Sequence, residues 1–220
     1  GSESGSNEGT NAKFTINGGT ITSTNALCIY APQINGETLI TGGTITGATS
    51  AIEIRAGKLT ITGGTLNGNN DNYIVDTNSN GSNTTGSAVS VVQHTTKQPI
   101  EVIITGGTFN ANTPISENNT MNNSAEDVAK ITINISDGLF NSTSDKTLEL
   151  EDVSGDIITG GTFTHDVSDY VNEDEYGQRD NGDSFTVLPY RNVEVRDEND
   201  ESLVTLNKSL PGDRATAFYS

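Results

Sequence analysis

The segment Ile40-Thr41-Gly42-Gly43-Thr44-Ile45-Thr46 has five further close copies along the 220-residue chain. The first glycine of each pair, or the aspartate that replaces it once, stands at positions 18, 42, 63, 106, 137 and 160. Successive copies are therefore 24, 21, 43, 31 and 23 residues apart. Self-similarity at a period of roughly 20 to 50 residues is the signature of repeat architectures. We therefore expect one structural unit to be repeated about six times.

A second strand-like segment follows several copies of the motif. In Ala51-Ile52-Glu53-Ile54-Arg55, apolar and polar residues alternate, which places Ile52 and Ile54 on one face of a strand. The same alternation predicts that Leu27 and Ile29, Val89 and Val91, and Leu148 and Leu150 point inward. The polar positions between and beside them are expected to point to solvent: Cys28, Tyr30, Glu53, Arg55, Glu149 and Glu151.

These two strand types and the spacing predict an all-β fold, a right-handed, single-stranded parallel β-helix. Stacked coils would share one core, and the glycine pairs would occupy bends that need positive φ. We assign the β-helix to residues 13–188, with insertions at 68–87 and 111–129 where the spacing lengthens. Residues 1–12 are predicted to be a leader or tag, and residues 189–220 a small β tail or the start of a following module.

Composition excludes several classes of partner. The chain has 11 Lys and Arg against 29 Asp and Glu, a net charge of −18, so it lacks the basic stripe that binds nucleic acid. No apolar stretch approaches the roughly 18 to 20 residues that a membrane-spanning helix needs, so no membrane insertion is predicted. A single cysteine excludes an intramolecular disulfide. We expect a monomer.

The last copy of the motif carries a resemblance to a known family. Gly160-Gly161-Thr162-Phe163-Thr164, followed by His165-Asp166-Val167-Ser168-Asp169-Tyr170-Val171, resembles the end of the pectate-lyase-like β-helix regions of Gram-positive bacterial surface proteins. The resemblance covers residues 13–188 well and the tail weakly, and extends more loosely to clostridial carbohydrate-binding β-helices. It implies an extracellular, adhesin-like protein of the cell surface or cell wall that binds carbohydrate.

A carbohydrate site is predicted on the outward face of the second strands. Tyr30 and Arg55 lie on adjacent coils, where an aromatic ring can stack on a sugar and a guanidinium can hold a hydroxyl or a carboxylate. Tyr73, in the first insertion, would add a wall. The expected partner is a polysaccharide, a host glycan or a glycoprotein.

Calcium is an optional ligand in this reading, and no cofactor is required. Asp166, Asp169, Glu173 and Asp174 follow the last motif closely, and their hard oxygen atoms suit Ca²⁺. An acidic, solvated cap is the alternative for these residues.

The main expectation is a non-catalytic module, and two alternatives remain open. The first is an enzyme on this fold, either a polysaccharide lyase or a glycoside hydrolase. A polysaccharide lyase would need a proton-abstracting base, for which Arg55, Lys58 and Lys97 are the candidates. A glycoside hydrolase would need a carboxylate pair such as Glu149 and Glu151. The second alternative is a passive structural stalk, which predicts no ligand.

Overall fold

The computed structural model describes residues 12–78 and 81–213. Most of the predicted leader, residues 1–12, lies outside the described residues, as does the end of the tail from residue 214. The described chain is all-β with extended parallel pairing, which confirms the class expected from the period-two patterns. Its strands, in chain order, are β1 (Lys13–Thr22), β2 (Ile29–Ala31), β3 (Glu37–Thr46), β4 (Ile52–Ile54), β5 (Gly57–Ile61), β6 (Thr65–Asn67), β7 (Ile74–Asn78), β8 (Gly81–Thr85), β9 (Val89–Val92), β10 (Ile100–Ala111), β11 (Ile115–Asn118), β12 (Ile131–Ser142), β13 (Leu148–Leu150), β14 (Gly161–Phe163), β15 (Tyr176–Asp180), β16 (Phe185–Pro189), β17 (Arg191–Arg196) and β18 (Ser202–Ser209).

Two parallel sheets are built by strands that alternate along the chain. The motif strands β1, β3, β5 with β6, β10, β12 and β14 pair in that order and form the first sheet. The second strands β2, β4, β9, β11 and β13 form the second sheet. Each of the first five repeats thus contributes to both sheets, with neighbouring strands at the usual spacing of about 4.8 Å, whereas the sixth contributes only β14, to the first sheet.

The glycine pairs lie at bends within β1, β3 and β10 and between β5 and β6. Between Ile16 and Thr20 the register of β1 against β3 shifts, so the strand bulges there instead of ending. Gly43 has a φ of 89°, and a Cβ on it would come within 2.9 Å of the Gly18 carbonyl carbon of the layer beside it. Only glycine combines this φ with so close a backbone approach.

The core lies between the sheets and consists of columns of aligned side chains. One column runs Ile16, Ile40, Ile61, Ile104, Ile135. A second runs Ile21, Ile45, Leu66, Phe109, Phe140, Phe163. The three phenylalanine rings stack in parallel, with centroids 4.6 and 4.7 Å apart and 4° between the ring planes. Apart from Ile21, these columns join the inward residues of the second sheet, such as Ile52 and Val89, in one hydrophobic cluster.

An amide ladder accompanies the apolar columns on the motif strands. Asn67 Nδ2 donates to Thr46 Oγ1 at 3.1 Å, Asn110 Nδ2 donates to Asn67 Oδ1 at 2.8 Å, and Asn141 Nδ2 donates to Asn110 Oδ1 at 2.8 Å. Each half-buried amide therefore hydrogen-bonds to the layer before it, which fixes the register of the stack.

The two predicted insertions differ in the structure. Within residues 68–87, β7 and β8 form an antiparallel hairpin. The second prediction, an insertion at 111–129, is too long because β11 (Ile115–Asn118) lies inside it and pairs with β9 and β13. Only the following segment, which contains the short helix α1 (Ala125–Val128), leaves the sheets before β12 begins.

The C-terminal part of the described chain changes to antiparallel pairing. A 3₁₀ turn at Ser168–Tyr170 follows β14, and then β16 pairs antiparallel with β14 and β15 pairs antiparallel with β16. Strands β17 and β18 form a separate two-stranded hairpin. The parallel stack is therefore covered at this end by the chain itself.

Candidate functional site

A groove of about 650 Å³ crosses the beginnings of four motif strands. We call it the lateral groove. The pairing register places Glu37, Lys58, Glu101 and Thr132 in one row across β3, β5, β10 and β12. Residues of the loops that precede β3 and β10 also line the groove. The polar side chains that line the lateral groove are Asn35, Glu37, Lys58, Gln98, Glu101, Lys130 and Thr132.

Charges of both signs alternate along this row. Lys58 Nζ lies 2.9 Å from Glu101 Oε2, and Lys13 Nζ lies 2.8 Å from Glu37 Oε2 in the neighbouring layers. Lys130 Nζ lies 2.8 Å from Asp127 Oδ1, an aspartate that also pairs with Lys97. These two lysines hold the pKa of Asp127 far below its usual range, Lys130 having the larger effect. The lysines are exposed, so their pairs are weak and their ammonium groups remain accessible to a ligand.

The sequence could have revealed this row. Lys13, Glu37, Lys58, Glu101 and Thr132 each stand five residues before the first residue of the glycine pair, or before the aspartate that replaces it. Aligning the repeats at that position shows the alternating charges. Asn35 and Gln98 lie in connecting loops outside the motif, so the repeat gave no signal for them.

Arg55, predicted to reach solvent, is buried. Its side chain is 3% exposed, and that of Glu53 is 0% exposed. Arg55 Nε donates to Glu53 Oε1 at 2.8 Å, and Arg55 Nη2 donates to Asn83 Oδ1 at 3.1 Å. The Arg55 guanidinium carbon also lies 5.3 Å from the ring centroid of Tyr30, which is 44% exposed. The predicted neighbours are thus in contact, but the guanidinium serves a buried ion pair.

The β7–β8 hairpin causes this burial by covering the outward face of the second sheet. Ser50 Oγ donates to the Thr84 carbonyl at 2.8 Å, and Thr84 N donates to Glu53 Oε2 at 3.4 Å. Thr84 is itself buried. Burial raises the pKa of the Glu53 carboxyl, and the charge of Arg55 opposes that shift. Ser90, the next residue after Glu53 in this row, is also buried and has no hydrogen-bond partner for its hydroxyl among the described residues.

Tyr73 does not join Tyr30 and Arg55. Its side chain hydrogen-bonds with Ser116 and Asn118 on β11, and burial raises the pKa of its hydroxyl. β11 lies three strands from β2 in the second sheet, roughly 14 Å at the usual spacing. The three predicted ligand-binding residues therefore do not line one surface.

The four predicted calcium ligands are divided between different contacts. Asp166 accepts from the Ser168 hydroxyl at 2.6 Å and lines a cleft with Asp169, and the Ser168 bond lowers the pKa of Asp166. Asp174 pairs with Lys208 of β18 at 2.9 Å, which lowers the pKa of Asp174. In residues 12–78 and 81–213, no three His, Cys, Asp or Glu side chains are grouped so that they could hold a metal ion. The geometry gives the calcium prediction no support.

The residues considered for catalysis are held in other contacts. Arg55, Lys58 and Lys97 each form an ion pair, with Glu53, Glu101 and Asp127 respectively. Glu149 pairs with Lys146, and Glu151 Oε2 accepts from the Asn119 backbone N–H at 2.8 Å.

A buried carboxylate that the repeat pattern does not indicate is Glu117. It occupies an inward position on β11, between Val91 and Leu150 in the register. Its Oε2 accepts the backbone N–H groups of residues 151, 152 and 153 at 3.1, 2.9 and 3.2 Å. Burial raises the pKa of this carboxyl. Glu117 thus holds the turn after β13 and replaces an apolar residue of the column.

Comparisons with family models, curated proteins and solved structures found no match for this chain. In the described part of the chain, no helix has the length and apolar character needed to cross a membrane.

Proposed function

We propose that this chain is a right-handed parallel β-helix that binds a carbohydrate chain along the lateral groove without cleaving it, at the surface of a bacterial cell. The resemblance of residues 13–188 to β-helix regions of surface proteins supports the fold and the location. The alternation of strands between two parallel sheets supports a helical path. Crossover connections between parallel strands are almost always right-handed, which supports the hand.

The lateral groove is the observation that carries the proposal. It crosses four layers, a length of about 14 Å between the first and last strands, so an extended oligosaccharide can lie across them. Lys58, Lys130 and the Gln98 amide offer donors, while Glu37, Glu101 and Asn35 offer acceptors. A sugar hydroxyl both donates and accepts, so a lining with both kinds of group suits it.

The contacts of the candidate catalytic residues favour binding over cleavage. A lyase base must be free to take a proton, whereas Arg55 is buried against Glu53, and Lys58 and Lys97 are ion-paired with Glu101 and Asp127. Calcium has no grouped ligands among the described residues, so we propose that binding needs no metal.

Lys130→Ala tests the groove, with Lys146→Ala as its matched control. Both are exposed lysines paired with a carboxylate three residues away, but only Lys130 lines the lateral groove. Plant, microbial and mucin polysaccharides are screened on an array, with calcium and again with chelator, and released unsaturated or reducing ends are assayed in the same wells. We expect binding without product, unaffected by chelator, and about tenfold weaker in Lys130→Ala alone.

Three outcomes would overturn the proposal. Released product would favour a lyase or hydrolase. Equal loss of binding in Lys130→Ala and Lys146→Ala would place the ligand elsewhere. If no polysaccharide binds, the passive stalk is the better explanation.

A further inference from the structure

The end of the stack that begins with β1 exposes residues of the core columns. Among the described residues, β1 pairs only with β3, and β2 only with β4. Phe14 and Ile21 stand on inward positions of β1, yet they are 47% and 37% exposed. With Cys28 and Tyr30 they line a largely apolar cavity of about 400 Å³. We call this surface the β1 end.

The opposite end of the same columns is closed. Phe163 occupies the column of Ile21 but is fully buried, because β16 covers β14 in antiparallel pairing. The first sheet thus accepts an antiparallel strand at its end. An exposed edge strand with apolar neighbours is a template for such pairing with another chain.

The charge distribution also sets the β1 end apart. The whole chain has a net charge of −18, which repels a second copy at most surfaces. β1 contains one lysine and no acidic residue, and Lys13 pairs with Glu37 beside it. Lys58 and Glu37 are the charged residues of the cavity lining, one of each sign. Among the described residues, the β1 end therefore presents less excess negative charge to a second copy than the chain as a whole.

We propose that two copies of this chain pair through their β1 ends as a two-fold dimer. A two-fold axis places β1 of one copy antiparallel to β1 of the other, the same pairing that β16 gives β14. The covered opposite end favours a closed pair, because among the described residues the core columns are exposed at the β1 end and buried under β16 at the other. A dimer departs from the monomer expected from the sequence. The sequence pattern does not indicate that the apolar residues of β1 are exposed.

Sedimentation of the full chain over a range of concentrations tests the dimer. Ile21→Lys places a charge in the proposed interface, and Leu139→Lys places the same charge on an equally exposed apolar residue of β12. We expect a concentration-dependent dimer for the wild type and for Leu139→Lys. In Ile21→Lys the dimer Kd should rise by about tenfold or more. A short thiol-to-thiol crosslinker should join Cys28 of two copies in the same samples that contain dimer.

Other outcomes would overturn the dimer. A wild-type chain that stays monomeric at every concentration would contradict the proposed dimer. If Ile21→Lys then lowers the Tm and Leu139→Lys does not, the β1 end is covered by the same chain. A dimer weakened equally by both substitutions would place the contact elsewhere. The cavity of the β1 end and the lateral groove share Gly36, Glu37 and Lys58, so carbohydrate binding by each variant is measured in parallel with its state of association. Neither Ile21 nor Leu139 lines the groove, so a loss of the dimer with binding retained separates the two proposals.

Discussion

Glu53 and Arg55 show how a covering element changes the chemistry of a surface. Period two correctly placed both side chains on the outward face of the second sheet, opposite Ile52 and Ile54. It could not reveal that the β7–β8 hairpin folds over that face. Removing one partner of a buried ion pair typically costs more than the intact pair contributes, because the remaining charge is unpaired and desolvated.

Arg55→Met should therefore lower the free energy of unfolding by roughly 3 to 5 kcal/mol at neutral pH. Burial already raises the pKa of Glu53, and without Arg55 nothing opposes that shift as strongly. Above the ordinary glutamate pKa, the folded variant would hold a proton that the unfolded chain has lost. Its stability should then fall as the pH rises through that range. Urea titrations from about pH 4 to about pH 8 measure this slope.

The double variant Glu53→Gln/Arg55→Met provides the control. It removes both charges, so it should recover part of the stability and lose the additional pH slope. If the slope persists in the double variant, Glu53 is not its source.

For single strands of the second sheet, the alternating pattern predicts a strand only where the inward positions are apolar. β4 and β9 were recognised because Ile52 and Ile54, and Val89 and Val91, occupy both inward positions. β11 was missed because Glu117 fills one of them. The buried carboxylate of Glu117 is stabilised because its Oε2 accepts three backbone N–H groups. These come from a turn some 35 residues away in sequence. Local pattern cannot report a partner at such a distance.

The motif strands β10, β12 and β14 share the stacked rings of Phe109, Phe140 and Phe163. Phe140 lies between the other two rings and is fully buried, so Phe140→Ala should lower the free energy of unfolding by about 3 to 5 kcal/mol. The control Phe185→Ala, on half-buried β16, should cost less. Chemical denaturation followed by circular dichroism gives both values. Equal losses would mean that the stacked column contributes no more than an edge residue.

For the whole molecule, the repeat spacing was sufficient for the all-β class and the parallel order of the first sheet, since the six motif copies return there in chain order, the third divided between β5 and β6. The candidate site is less predictable from the sequence than the fold. The lateral groove joins side chains from different repeats and from loops between them, so it exists only once the layers are stacked. The exposed β1 end is likewise a property of the stack, because Ile21 has the same sequence context as the buried Ile45.

The net charge of −18 makes the response to salt a test of which electrostatic effect dominates. Exposed ion pairs such as Lys58–Glu101 and Lys146–Glu149 contribute about 0 to 1 kcal/mol each and weaken with salt. Repulsion among the excess carboxylates destabilises the folded state and is screened over the same range, where the Debye length falls from about 30 Å at 0.01 M to about 8 Å at 0.15 M. Because acidic residues outnumber basic ones by 29 to 11, most carboxylates cannot be paired, so screening of repulsion should prevail. We expect the Tm to rise with sodium chloride across this range, in calorimetry at pH 7 and one protein concentration. A falling Tm would mean that the ion pairs outweigh the repulsion.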